Sequence, residues 1–155
     1  MRSSAISNAL ISKLLADTAL MALVPDGVFY GVAGPSLATG GTAKRYVIVA
    51  LIPGSSHVQV FSRRAYQDAL YLVEARILST SVANPLARVH DAAERIDALL
   101  DPQPPAAPPT LTVAGYTLMT MYQDEPTEDI EFDAPDPSIQ WDRCGGRYRV
   151  QCSVT

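Results

Sequence analysis

The chain has 155 residues, 48% of them apolar and 18% charged, which is long enough for one buried core and too apolar for a disordered chain. A net charge of −4 gives no general electrostatic pull toward nucleic acid or anionic lipid. No apolar run approaches the ~20 residues that span a bilayer, and Ser7, Asn8, Ser12, Lys13 and Asp17 interrupt the N-terminal segment, unlike the core of an export signal.

In chain order, Ile6, Leu10 and Leu14 recur every four residues, widened by Ile11 and Leu15, after Ser3 or Ser4 as N-cap. This spacing predicts an amphipathic helix. Asp17 is placed to cap a second short helical segment carrying Leu20, Met21 and Leu23, and Pro25-Asp26-Gly27 stops it near Val24. Residues 28–32 fit a short strand. Gly31, Gly34, Pro35, Gly40 and Gly41 then make a loop as far as Thr42 with few side chains to anchor it, where mobility is expected.

Residues 46–52 form a continuous β-branched and aromatic run ended by Pro53-Gly54, the pattern of a central strand either covered on both faces or ambiguous in its facing. Residues 57–61 are expected to pair with it, and Arg63-Arg64 to begin a connection into 69–78. There Tyr71, Val73, Ala75 and Ile77 alternate with Leu72, Glu74 and Arg76, the period of a strand. Asn84-Pro85 supplies an N-cap and a proline at the first helical position, where its missing N–H would be unpaired in any case. Leu86, Val89, Ala93, Ile96 and Leu100 form the apolar stripe of the helix that follows, with Arg88, Asp91, Glu94, Arg95 and Asp97 outside it.

Five of the eight residues 102–109 are proline, which predicts a stiff extended connector. Residues 111–113 and 116–122 flank Ala114-Gly115 as a hairpin. Near the C-terminus Tyr148, Val150, Cys152 and Val154 alternate with Arg147, Arg149, Gln151 and Ser153, a half-exposed antiparallel strand with a wet, basic face. The fold expected is α+β: a mostly antiparallel sheet with two main helices packed on one face, in a single domain of residues 1–155. The proline-rich connector 102–109 and an acidic loop 124–142 punctuate it.

Residues 124–142 hold eight acidic side chains and no base, whereas residues 1–64 hold six basic and two acidic ones. Opposite signs on separate segments suit contacts between copies, although a solvated loop explains the acidic run equally well. Lys44, Arg45, Arg63 and Arg64, with Asp124, Glu125, Glu128, Asp129, Glu131 and Asp133, are therefore the candidate subunit-interface residues.

Nothing in the pattern carries chemistry. His57 and His90 stand apart in no ligand-spaced motif, and His90 at the edge of its helix stripe reads as a partly buried structural histidine. Cys144-Gly145-Gly146 reads as a turn with an incidental cysteine, and Cys144 and Cys152 as free thiols. The glycines of 31–41 lack the strand–turn–helix setting of a phosphate loop, and the acidic segment lacks the alternation and central glycine of a calcium loop. No catalytic residue, metal site or cofactor is expected, and the chain is not read as an enzyme.

The order of the helix with Leu14-Leu15-Ala16-Asp17 and Met21-Ala22-Leu23-Val24, the strand Tyr46-Val47-Ile48-Val49, the alternating strand through Tyr71 and Val73, the helix with Leu86, Val89 and Leu100, the 111–122 hairpin and the closing strand Arg147-Tyr148-Arg149-Val150 resembles the tail terminator, or tail completion, family of long-tailed bacteriophages. The resemblance covers most of the chain. It implies a structural virion protein, made in the host cytoplasm, that forms a homo-oligomeric ring of about six copies capping the tail tube. The implied partners are the tail tube protein and a head-closure or connector protein. Neither membrane nor sequence-specific nucleic acid is implied, although DNA would pass through the ring. The proline-rich connector and the acidic segment depart from the commoner pattern. Another neck protein, for head closure or as an adaptor, is the neighbouring reading. A small α+β enzyme or ligand-binding domain, its site converging only in three dimensions, is the reading from a different class.

Overall fold

The computed structural model describes residues 3–53, 56–60, 63–133 and 135–155. Helices α1 (Ser3–Leu15), α2 (Thr18–Leu23) and α3 (Pro85–Leu100) accompany strands β1 (Val28–Tyr30), β2 (Arg45–Leu51), β3 (Ser56–Val60), β4 (Arg63–Leu78), β5 (Tyr116–Phe132) and β6 (Gln140–Val154). The strands make one sheet in the order β1-β2-β4-β6-β5, with β3 paired to β4 off that path. Only β1 and β2 run parallel, and the rest of the sheet is antiparallel. The expected α+β class, with the helices on one face of a mostly antiparallel sheet, is the architecture found.

The alternation read from sequence explains the layers. Val47 and Val49 of β2, Tyr71, Val73, Ala75 and Ile77 of β4, and Tyr148, Val150 and Cys152 of β6 all point to one face. There they meet Ile6, Leu10 and Leu14 of α1 and Val89, Ala92, Ile96 and Leu100 of α3, all buried. Burying each valine, leucine or isoleucine among them contributes roughly 1.5–3 kcal/mol. β2 is covered on its other face too, because Tyr46 and Ile48 pack in a second cluster with Phe29 and Trp141. Tyr46 meets Phe29 and Trp141 edge to face, at centroid distances of 6.0 and 5.6 Å.

Polar contacts fix the joints. Asp17 caps α2 by accepting from the Leu20 N–H at 2.7 Å, as its position predicted. The same carboxylate accepts two bonds from Arg95 of α3, at 2.9 and 2.5 Å, so one side chain caps one helix and ties it to another. The Ser7 hydroxyl of α1 donates to the Tyr71 hydroxyl of β4 at 3.1 Å, under the core.

Several expectations are corrected. α1 takes in Ser3 and Ser4 rather than starting after them. Residues 57–60 pair with β4 instead of β2, and Arg63-Arg64 already belong to β4, where Val60 stands opposite Arg63 and Gln59 opposite Arg64. The expected partner Phe61 lies outside the described residues. Asn84 precedes α3 but with φ 52°, a left-handed conformation from which its side chain makes no capping bond. Leu86 is 48% exposed, and Ala92 takes a place in the stripe beside Val89. Residues 111–113 form no strand; only a bridge between Val113 and Tyr116 closes the turn at Gly115, and β5 pairs with β6 instead.

The glycine-rich loop after β1 is pinned rather than loose. Buried Asp26 accepts from the Lys44 and Arg45 N–H groups, each at 2.8 Å, and from the Ser36 hydroxyl, while Ser36 itself accepts from the Ala38 and Thr39 N–H groups. Cys144-Gly145-Gly146 is no turn but the middle of β6. The acidic loop expected over 124–142 is mostly strand as well: residues 124–132 complete β5 and 140–142 open β6, leaving only a short connection between them. Glutamate and aspartate are poor strand formers in isolation, but arginines directly opposite offset that preference.

Candidate assembly surface

The sheet face away from the helices carries the charge. On β6, Arg143, Arg147 and Arg149 alternate with the buried residues and so point to this face. Register places Asp129 opposite Arg143, Glu125 opposite Arg147 and Tyr122 opposite Arg149. The ion pairs follow from that register. Arg147 meets Glu125 at 2.8 Å, and Arg149 meets Asp68 of β4 at 3.0 Å and Asp124 at 3.6 Å. Arg143 meets Asp129, Glu131 at 3.4 Å and Glu74 at 3.9 Å. Glu74, nearly buried, also takes Arg76 at 2.6 Å. The Arg143 guanidinium holds the Asp129 carboxyl below its ordinary range.

On the helix side, His90 of α3 lies 3.0 Å from Glu128 and is half-exposed, so it works as a surface clasp between α3 and β5. Further along the same interface Gln123 Nε2 donates to the Tyr148 hydroxyl, which donates to Asp97. Burial raises the Asp97 carboxyl and pushes the Tyr148 phenol well above its usual value.

Of the interface residues expected from sequence, then, Asp124, Glu125, Asp129 and Glu131 are brought together with cations of their own chain, and Glu128 with the His90 ring. The reasoning that set these acids against Lys44, Arg45, Arg63 and Arg64 missed β6, whose arginines follow the acids in sequence and fold back beside them. Asp133 sits at the β5–β6 connection and makes no ion pair among the described residues, nor does Asp136 beyond it, whose carboxylate accepts from Ser138. Lys44 and Arg45 flank the start of β2 and likewise make no ion pair among the described residues. The side chains of Arg63 and Arg64 lie outside the described residues.

Two grooves adjoin Lys44. One, of about 620 Å³, is walled by Ala33, Pro35 and Ala43 with Tyr46 and Trp141 beneath. The other, of about 490 Å³, is lined by Lys44, Arg45, Thr39, Thr80 and Ser81, with the Asp26 carboxylate, which lies close enough to Arg45 to feel its charge, at its base. Gly41 and Thr42 belong to both. Sequence reasoning did not find these grooves, because their walls come from segments far apart in the chain. Nor did it single out Ile130 and Phe132, 44% and 59% exposed at the end of β5.

Among the described residues no three His, Cys, Asp or Glu side chains gather where a metal ion would be held, and no helix is long and apolar enough to cross a membrane. Fold and surface together define a class: a small α+β domain whose charged sheet face is largely matched within the chain.

The chain matches no family model, and no curated protein matches it in sequence. Among solved structures it is similar to a chain of the virion of a native gene transfer agent particle, with a TM-score of 0.58 over 97% of this chain and 96% of that one. At 17% identity this is a likeness of fold, running nearly end to end in both chains.

Proposed function

We propose that this protein is a structural component of a phage-like virion, and within it a tail terminator: a ring of copies that caps the tail tube and joins it to the head connector. The observation that carries the reading is the nearly complete, two-way coverage of the fold shared with a chain of a gene transfer agent virion. The position at the tail end rests on the order of elements that resembles the tail terminator family. The candidate subunit interface belongs to this reading, with Lys44 and Arg45 as its cationic part.

Quantitative mass spectrometry of purified particles tests it. The expected result is this chain in intact virions at about six copies, as a closed ring requires, and tails of uncontrolled length in its absence. Recovery of the chain only with tailless heads would move it to a head-closure or adaptor position. Its absence from particles would refute the virion reading.

A further inference from the structure

Among the exposed apolar groups and the charged groups without an ion pair, two sets lie toward the same end of the sheet. The first is a knob. Ile130 and Phe132 end β5, and Asp133 and Asp136 follow in the connection to β6. The second is a double groove, apolar over Tyr46 and Trp141 on one side of Gly41-Thr42 and cationic at Lys44 and Arg45 on the other. Apolar groups followed by carboxylates match an apolar floor followed by cations.

A chain cannot fill its own groove with its own apolar knob. Glu131 stands opposite Trp141 on the groove side, whereas Phe132 stands opposite Gln140 and Ile130 opposite Asp142. Successive residues of a strand point to opposite faces, so Ile130 and Phe132 point to the helix side. Asp142 is itself opposite Ile77, which faces the core, and this confirms the side. Knob and apolar groove therefore open on opposite faces of one sheet, while Arg45, opposite Ile77, lies on the knob's face at the same end of the sheet. Surfaces that are complementary but face opposite ways join copies head to tail, and such contacts close into a ring or run on as a filament.

We propose that the β5–β6 knob of one copy docks in the double groove of a second copy, Ile130 and Phe132 against Tyr46 and Trp141, Asp133 and Asp136 against Lys44 and Arg45. This deepens the assembly reading and rests on it for why copies meet. It also narrows the charged interface, because the acids of β5 already matched by β6 are left out of it.

The test is sedimentation velocity of the full chain from about 1 μM to about 1 mM, a span that covers weak and moderate contacts. One variant reverses the knob (Asp133→Lys with Asp136→Lys) and another the groove (Lys44→Glu with Arg45→Glu), with circular dichroism to verify folding. Wild type should self-associate, and each variant alone should do so at least roughly tenfold more weakly. Mixed together they should recover, because every knob–groove contact between unlike variants regains opposite charges. Phe132→Ser, at an exposed position, should weaken association without any change of charge. A wild type that stays monomeric throughout, association indifferent to both reversals, or a mixture that fails to recover would each overturn the proposal. Failure of the virion reading is read separately, from the composition of particles.

Discussion

Substituting alanine at Gly145 isolates the closest backbone approach in the sheet. A Cβ placed there would lie 2.1 Å from the Val73 carbonyl oxygen and 2.6 Å from the Glu74 Cα. Both are main-chain atoms of β4, held by a ladder that pairs β4 with β6 from Tyr66 to Leu78. No rotamer change relieves the clash, so the strands must part by about 1 Å at the centre of the sheet, beyond the 1–3 kcal/mol usual for overpacking. Gly146 supplies the control. Its added Cβ would meet Gln123 Nε2 at 2.5 Å, the mobile end of a side chain, at the loss of the Gln123–Tyr148 hydrogen bond. That loss is worth about 1 kcal/mol. Each kcal/mol lowers the Tm of a domain this size by roughly 2–4 °C. Gly145→Ala should therefore fall by about 10 °C or more, and Gly146→Ala by about 3 °C, in thermal melts followed by circular dichroism. A Gly145→Ala protein melting with wild type would show that β4 and β6 do not approach as closely as this reasoning requires.

Ile96→Asp should abolish soluble, cooperatively folding protein, because it puts an unpaired charge at a fully buried position at a cost of several kcal/mol, whereas Glu94→Ala should melt within about 1 °C of wild type. Cys144 and Cys152 should react slowly with iodoacetamide at pH 8 until the protein unfolds, since both are buried and burial pushes the Cys152 thiol up to about 11; rapid labelling of the native chain would contradict this. Asp17→Ala should lose about 1–2 kcal/mol at pH 7 in urea titrations, because the cap of α2 and the tie to Arg95 go together. The Arg95 hydrogen bond holds the Asp17 carboxyl below its unfolded value of 3.8, so the stability it contributes is present above that pH and lost as pH falls through the lowered folded value. The difference between wild type and variant should accordingly shrink in acid.

Much of this architecture is determined by local pattern, because periodicity is a property of the backbone and survives any tertiary arrangement. The alternation at Tyr71–Ile77 and at Tyr148–Cys152, and the three- and four-residue spacing at Ile6, Leu10 and Leu14, already specify which face each element buries. Asp17 is legible as a cap because capping needs only the residues that follow it. What only the tertiary structure decided is partnership between elements. The acids of 124–132 look like a solvated loop in isolation, since nothing within the segment neutralises them; they become strand because β6 brings Arg143 and Arg147 opposite them. Gly145 looks like turn chemistry until the Val73 carbonyl is seen to occupy the space of its missing side chain. Leu86 belongs to the stripe by spacing but lies near the start of α3, at a position the core does not cover. The double groove around Gly41-Thr42 draws on Tyr46, Ser81 and Trp141 together, and residues so far apart in sequence share a wall only because the sheet sets their strands and connections side by side.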